Sequence, residues 1–428
     1  MKIHRAHKIQ LQPNQHQAGY FAKACGVARF AYNWGLSEWR RQYEAGESPN
    51  RYVLNKQFNL VKRQEFPFVL DVTKWAPAQA IIDLDRAFKN FFRRVKQGKK
   101  PGYPRFKRRG IQDSFYIAGE RLRLKDKLVR IPKLGWVRMT EPLRLQGKIM
   151  SATVSKTADR WFCSIQVELE IPEPKADGST IGVDVGIKQL VTTSDGRTFT
   201  NPRALQKAQR RLRLLQKAVS RKSKGSRNRH KTVLRLQQRH YRAACIRSDA
   251  IHKATAAITK GVGRIVLEDL NIEGLLQNHR IAKALGDAAL GELHRQIIYK
   301  AEQRGVEIVV ADRFYPSSKT CSGCGAVKDV LTLGERIYIC EACGLEIDRD
   351  LNAAINLKQL AGGSSATACC LGSSGVVASQ QDETTDWAGI PRERSSVRRK
   401  EQFIYLGADN ANLKVQDDSS GTGSDSSN

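Results

Sequence analysis

Three acids in this sequence stand where apolar segments end or begin, and four cysteines stand in two spaced pairs. Asp184 closes the run Ile181-Gly182-Val183-Asp184, and Glu268 closes Arg264-Ile265-Val266-Leu267-Glu268. Asp350 lies in Asp348-Arg349-Asp350-Leu351-Asn352-Ala353-Ala354-Ile355-Asn356-Leu357, where acids open a segment whose alanines and leucines read as a helix. An isolated acid at a strand end is usually a terminator or a turn former. Three together can do more, because a hydrolytic two-metal site needs several oxygen ligands around ions about 3.5–4 Å apart.

The cysteines have the form C-x2-C-x15-C-x2-C, at Cys321, Cys324, Cys340 and Cys343. That spacing is a zinc spacing, and Gly325 and Gly344 follow the two knuckles, permitting the tight turns that let backbone N–H groups face thiolates. Four cysteines close the coordination shell and leave no position for water, so the expected zinc is structural. The other five of nine cysteines (Cys25, Cys163, Cys245, Cys369 and Cys370) are scattered and read as ordinary thiols.

Around these groups lies a strongly basic chain of 428 residues, with 73 Lys and Arg against 42 Asp and Glu, a net charge of +31. Such an excess is the footprint of a polyanion binder. An anionic membrane surface or a ribosomal partner are the blander alternatives. No apolar run approaches the roughly 20 residues needed to span a bilayer, and no apolar stretch follows the basic start Met1-Lys2-Ile3-His4-Arg5 as a signal peptide would require. A soluble protein that stays in the cytoplasm where it is made is expected. The length exceeds one ordinary core, so two or more domains are expected.

The elements that must position the acids follow in order. Residues 1–12 read as a strand ended by Pro13, and the pattern turns helical from Gln15, with Tyr20, Ala24, Val27, Ala28, Ala31 and Leu36 at three-to-four spacing. A second helix is expected over 77–97, ending in the basic, non-helical segment 98–110, whose cations surround Tyr103 and Phe106 and suit phosphate contact. Residues 114–172 read as short strands and suggest a small barrel joined by the first strand, with 15–110 inserted into it. Pro172 to Gly178 reads as a linker. After Asp184 comes a hairpin turning at Ser194-Asp195-Gly196. Two helical arms (204–218 and 233–252), joined by a basic loop over 221–231, lead to the Glu268 strand. A helix bearing Leu290, Leu293, Ile297, Ile298 and Ala301 then precedes a strand over 306–310. A hairpin first, βα units later, and acids at strand end, strand end and helix start fit an RNase H-like domain. Beyond Ala361 the composition shifts to Ser, Thr and Gly, with six Lys and Arg against nine Asp and Glu, and a disordered tail is expected.

These motifs resemble the TnpB (OrfB) proteins of bacterial insertion sequences, small RNA-guided DNA nucleases related to the type V CRISPR effectors. The resemblance covers roughly 1–361. It rests on Gln12-Pro13 with Arg29-Phe30-Ala31-Tyr32-Asn33, Gly102-Tyr103-Pro104-Arg105-Phe106-Lys107, Ile181 to Gly186, Leu267-Glu268-Asp269-Leu270, Pro316-Ser317-Ser318-Lys319-Thr320-Cys321, and Asp348 to Ala354. It implies an α/β multidomain protein. A wedge-like β-barrel would span 1–14 and 111–174, and a helical recognition domain 15–110. An RNase H-like (RuvC-type) nuclease domain would span 178–361, with a zinc ribbon at 316–347 and a tail at 362–428. It further implies Mg-dependent DNA cleavage by Asp184, Glu268 and Asp350, with Asp348 as second choice for the third ligand, one structural zinc, a guide RNA and a target DNA. Competing readings are a DDE-like transposase acting directly on DNA, a nuclease-inactive RNA-guided regulator, an actin-like ATPase and a non-enzymatic RNA binder. The ATPase lacks its phosphate loops, and the RNA binder leaves three acids unexplained.

Overall fold

Apolar residues spaced along β1 (Lys2–Gln12) bury Ile3, Ile9 and Leu11 while most residues between them stay exposed, His7 and Gln10 being half-buried. The computed structural model describes residues 2–171, 178–332 and 334–361. Asn14 then stops the strand and starts a helix: its side chain accepts from Gln17 N–H at 2.8 Å, and Gln17 Oε1 accepts from Asn14 N–H at 3.1 Å, a reciprocal cap. Helices α1 (Gln15–Glu44), α2 (Arg51–Val61) and α3 (Trp75–Lys96) follow. Strands β2 (Ser114–Ala118), β3 (Arg123–Lys125), β4 (Leu128–Ile131), β5 (Gly135–Met139), β6 (Lys148–Thr157) and β7 (Arg160–Glu170) complete the first half. Helix α2 is an addition to the sequence reading. It is capped by Asn50 but buries only Leu54 and Phe58, too short an apolar stripe to stand out as a period.

The first sheet runs β2-β6-β7-β1-β5-β4-β3. Strand β1 pairs with β7 from Lys2 to Leu11 and hands its last residues, Leu11 and Gln12, to β5. The helices therefore lie in the chain between a central strand and the rest of its sheet. The hydrogen-bonded order leaves the short β2 and β3 as edges, and no ladder between them closes a barrel among the described residues. The helices also share a core with the sheet: Phe21 of α1 packs on Phe115 and Trp161 at ring-centroid distances of 6.0 and 5.1 Å.

In the second half, β8 (Thr180–Val185), β9 (Gln189–Thr193) and β10 (Thr198–Thr200) form a meander, with Gly196 at φ +83° in the tight turn, where a side chain would be strained. Helices α4 (Ala204–Ser220) and α5 (Arg227–Ile258) lead to β11 (Arg264–Glu268). Short helices α6 (Ile272–Leu275) and α7 (Ala282–Ala288) and the longer α8 (Leu290–Arg304) lead to β12 (Glu307–Ala311). The sheet order is β10-β9-β8-β11-β12, antiparallel through β8 and parallel from there. Two small strands, β13 (Ile337–Ile339) and β14 (Glu346–Asp348), precede α9 (Arg349–Leu360).

Strand alternation divides this sheet into two faces. Ile181, Val183, Ile265 and Leu267 pack against α5 and α8 through Ile251, Ile258, Leu293 and Ile297. Val266, Val309 and Ala311 turn the other way and pack against Leu357 of α9.

One expectation is corrected here. The basic loop between the helical arms ends at Ser226, not 231, because the Ser226 hydroxyl caps α5 by accepting from Arg229 N–H at 3.2 Å. Arg229 is consequently buried, at 1% exposure, with Nε donating to the Val219 carbonyl at the end of α4, and is lost from the basic surface. Residues 172–177 of the expected linker and the tail 362–428 lie outside the described residues. Among the described helices none is long and apolar enough to cross a membrane.

Candidate functional site

Strands β8 and β11 are parallel, with Val183 opposite Leu267, so the next residues, Asp184 and Glu268, emerge side by side on strands about 4.8 Å apart. Both fall on the face that carries Gly182 and Val266, the face covered by α9. Asp350 lies in the first turn of that helix. The structure thus brings the three sequence-predicted acids together at one end of one face. Burial pushes the Asp184 carboxyl well above the usual carboxylate range, and the charges of Glu268 and then Asp350 push it further, with Arg349 opposing. A carboxylate so crowded by its own sign calls for a cation.

Asp348 does different work. Its Oδ1 accepts from the N–H groups of Asp350 at 2.9 Å and Leu351 at 3.1 Å, capping α9. Its side chain is committed to the backbone, whereas Asp350 is free of that task.

The cysteine set is the tighter cluster. Cys321 and Cys343 sulfurs stand 3.6 Å apart, as do those of Cys324 and Cys340, and all four ligand atoms lie within 4.8 Å of one another. A tetrahedron of sulfurs at about 2.3 Å from zinc has edges of about 3.8 Å, so the set fits one such ion. Among the described residues no other group of three or more His, Cys, Asp or Glu ligand atoms converges in this way. The two knuckles repeat one geometry: Gly325 and Gly344, at φ +78° and +73°, donate to the Cys321 and Cys340 carbonyls at 2.9 Å. The Cys343 N–H, assisted by that of Ala342, draws the Cys340 thiol down to about 6.

The ribbon and the acids are mechanically joined. Strand β14 ends at Asp348, the cap of α9, so the ribbon runs straight into the helix that carries Asp350. One turn apart on that helix, the buried Asn352 and Asn356 donate to the Thr320 carbonyl at 2.7 Å each, and Asn356 also to that of Ser317 at 2.7 Å. Ser317, so held, donates its hydroxyl to Glu268 Oε1. The sequence reading missed these supports. Two asparagines four residues apart in an otherwise apolar helical run were the available signal, since buried amides require partners.

Clefts open on both sides of the acids. One, of about 400 Å³, is lined by Glu268, Asp269, Arg313, Phe314, Ser317 and Lys319 among others. Another, of about 260 Å³, is lined by Lys188, Thr192, Arg336, Asp348 and Asp350 among others. The segment 98–110 has no regular secondary structure and is mostly exposed, and it is tied down rather than loose. Asn33 Nδ2 donates to the Lys107 carbonyl at 3.0 Å and Lys107 N–H returns a bond to Asn33 Oδ1 at 2.7 Å. Arg40 lies 5.2 Å from the centroids of both Tyr103 and Phe106, leaving Lys99, Lys100, Arg105, Arg108 and Arg109 exposed around them.

Residues 164–279 match a family described as "Probable transposase", 291–357 a "Cas12f1-like, TNB domain", and 1–48 a "Helix-turn-helix domain". In the structure, the last of these stretches is β1 followed by the single unbroken helix α1. A Streptomyces pristinaespiralis protein named "Putative RNA-guided DNA endonuclease" is 34% identical over 406 residues, 91% of this chain and 99% of its own length. The Escherichia coli K12 protein of the same description, InsQ, is 33% identical over 391 residues, 86% of this chain and 94% of its own. A Cas12f1–sgRNA–target DNA complex superposes over 83% of this chain and 99% of that one, at 17% identity and a TM-score of 0.32.

Proposed function

This chain belongs to the TnpB (OrfB) family of insertion-sequence RNA-guided DNA endonucleases, and on that premise we propose that it hydrolyses DNA phosphodiesters at Asp184, Glu268 and Asp350 under the direction of a bound guide RNA. The observation that carries the assignment is the placement of Asp184 and Glu268 side by side on parallel strands, on the face where α9 presents Asp350.

We read the five-stranded sheet, a meander continued by two parallel strands, as an RNase H-like (RuvC-type) domain over 178–361 with a zinc ribbon at 316–347. The seven-stranded sheet, over 1–14 and 111–174, would be the wedge, a barrel only if its short edge strands close by contacts other than a ladder. Helices within 15–110 would be the recognition lobe. One zinc, held by Cys321, Cys324, Cys340 and Cys343, stabilises the segment that enters α9.

The donor set of three carboxylates, with Asp184 pushed toward protonation first by burial and then by the charges of Glu268 and Asp350, suits two Mg²⁺. When bound, such ions activate a water and neutralise the leaving oxygen. The chain's own part is positional. Ser317 fixes Glu268, Asp348 fixes the first turn of α9 and hence Asp350, and the exposed cations hold phosphates in line. Sequence choice would lie mainly with guide pairing, the protein reading backbone shape and a short flanking motif. All three acids are present, which favours an active enzyme over a nuclease-inactive regulator.

The deciding experiment changes only the targeting segment of the RNA that co-purifies with the protein, at fixed salt and with the flanking DNA motif retained. The cut site should move with the RNA. Cutting that ignores the RNA, or that joins strands, would favour a transposase acting directly on DNA.

A further inference from the structure

Phe314 is 86% exposed, the most open large apolar side chain among the described residues. It is not left out by looseness. Its N–H donates to Asp312 Oδ1 at 2.8 Å, and Tyr315 N–H donates to the Asp312 carbonyl at 3.0 Å, forming a tight turn after β12. Beyond it, Tyr315 turns inward to donate its hydroxyl to the Asn356 carbonyl at 3.3 Å, and Ser317 reaches Glu268. Before it, Arg313 pairs with Asp269 at 2.6 Å. A turn anchored on both sides thus holds one aromatic ring into solvent at the lip of the cleft that also contains Glu268, Arg313 and Lys319.

An exposed ring on a rigid mount has little reason to exist for packing, and burying it would require only a partner with a flat apolar face. The neighbours say which partner: Arg313, shared with Asp269, and Lys319, which donates to the Asp329 carbonyl at 2.7 Å, are the cations of the same cleft. Cations beside an aromatic are the means by which proteins hold single-stranded nucleic acid, the cations tracking phosphates and the ring stacking on a base. A base inside a duplex has both faces stacked on its neighbours, so the partner is an unstacked base, such as a single strand supplies. We propose that Phe314 is the stacking platform for an unpaired nucleobase of the strand being cut, and that it sets where that strand lies over the carboxylates. This rests on the nuclease reading above and adds a substrate-positioning residue to it.

The test uses the full chain with its co-purified RNA, comparing Phe314 with Phe314→Ala, Phe314→Leu and Phe314→Trp. In an Asp184→Asn background, DNA targets carry 2-aminopurine at successive positions of the cleaved strand, and stacking quenches its fluorescence. Quenching confined to one or two adjacent positions, kept by Trp and lost in Ala and Leu, is the expected result. With Asp184 intact, Ala and Leu should cut roughly tenfold more slowly, the size usual when a stacking aromatic is removed, with cut positions spread over neighbouring phosphates and melting behaviour unchanged. Quenching that Ala leaves intact, or Leu matching Phe in both measurements, overturns the proposal. If the unaltered protein does not cut at all, the nuclease reading falls, and the fluorescence comparison still decides whether Phe314 stacks on a base.

Discussion

Gly182 of β8 lies directly against Ala354 of α9. A Cβ built on Gly182 would stand 2.6 Å from Lys358 N and closer still to the Ala354 carbonyl oxygen. The backbone of the helix that carries Asp350 therefore rests on the strand that carries Asp184, two residues before that acid and on the same face.

Gly182→Ala should push α9 off the sheet. Overpacking of this kind costs about 1–3 kcal/mol, and a displacement on the order of 1 Å at the acids should slow cleavage by on the order of 10²-fold. Urea denaturation and single-turnover cleavage check the two effects together. Wild-type stability with full activity would show that the helix has room to spare.

Asp184→Asn, Glu268→Gln and Asp350→Asn should each slow cleavage roughly 10³-fold or more, because each removes several kcal/mol of charge stabilisation. Guide and target binding, measured by gel shift at fixed salt, should survive, since cations hold the phosphates. Asp348→Ala should behave otherwise, losing a cap worth about 1 kcal/mol and leaving most of the activity. An inactive Asp348→Ala beside an active Asp350→Asn would reverse the assignment of the third ligand.

Zinc should be found at one per chain by elemental analysis. Its removal with a mercurial and a zinc chelator should unfold the ribbon and abolish cleavage, and excess Mg²⁺ should not restore it. Structural zinc of this type contributes on the order of 10 kcal/mol of binding free energy to folding, and here the fold it secures delivers Asp350. Active protein without stoichiometric zinc would contradict this.

Cys25 and Cys163 should resist alkylation in the native protein. Burial pushes both thiols from 9.0 up to about 12, so at pH 8 only on the order of one part in ten thousand is the reactive thiolate. Since the folded state holds these protons more tightly than the unfolded chain, their contribution to stability is complete below about pH 9 and is lost as pH rises toward 12. Mass-spectrometric mapping of labelled sites, with and without denaturant, checks the first point. Melting between pH 8 and 11 checks the second.

Much of the candidate site was legible in the sequence. Asp184, Glu268 and Asp350, the four cysteines and their glycines, the hairpin and the strands around it are each specified by residues within a few positions of one another, through alternation, apolar period and turn chemistry. Those rules act locally, and a local rule can be read from a local segment. The tertiary structure decided the rest. That Ser317 meets Glu268 across 49 residues, that Asn352 and Asn356 hold the entry to the ribbon, that Gly182 must lack a side chain, that Arg229 turns inward and that Phe314 stays out all depend on which segments the fold presses together. None of these choices lowers the energy of its own segment, so none leaves a periodic trace there. Composition alone pointed to a polyanion partner, and only the packing of α9 across two parallel strands brought three separate acids to one end of one face.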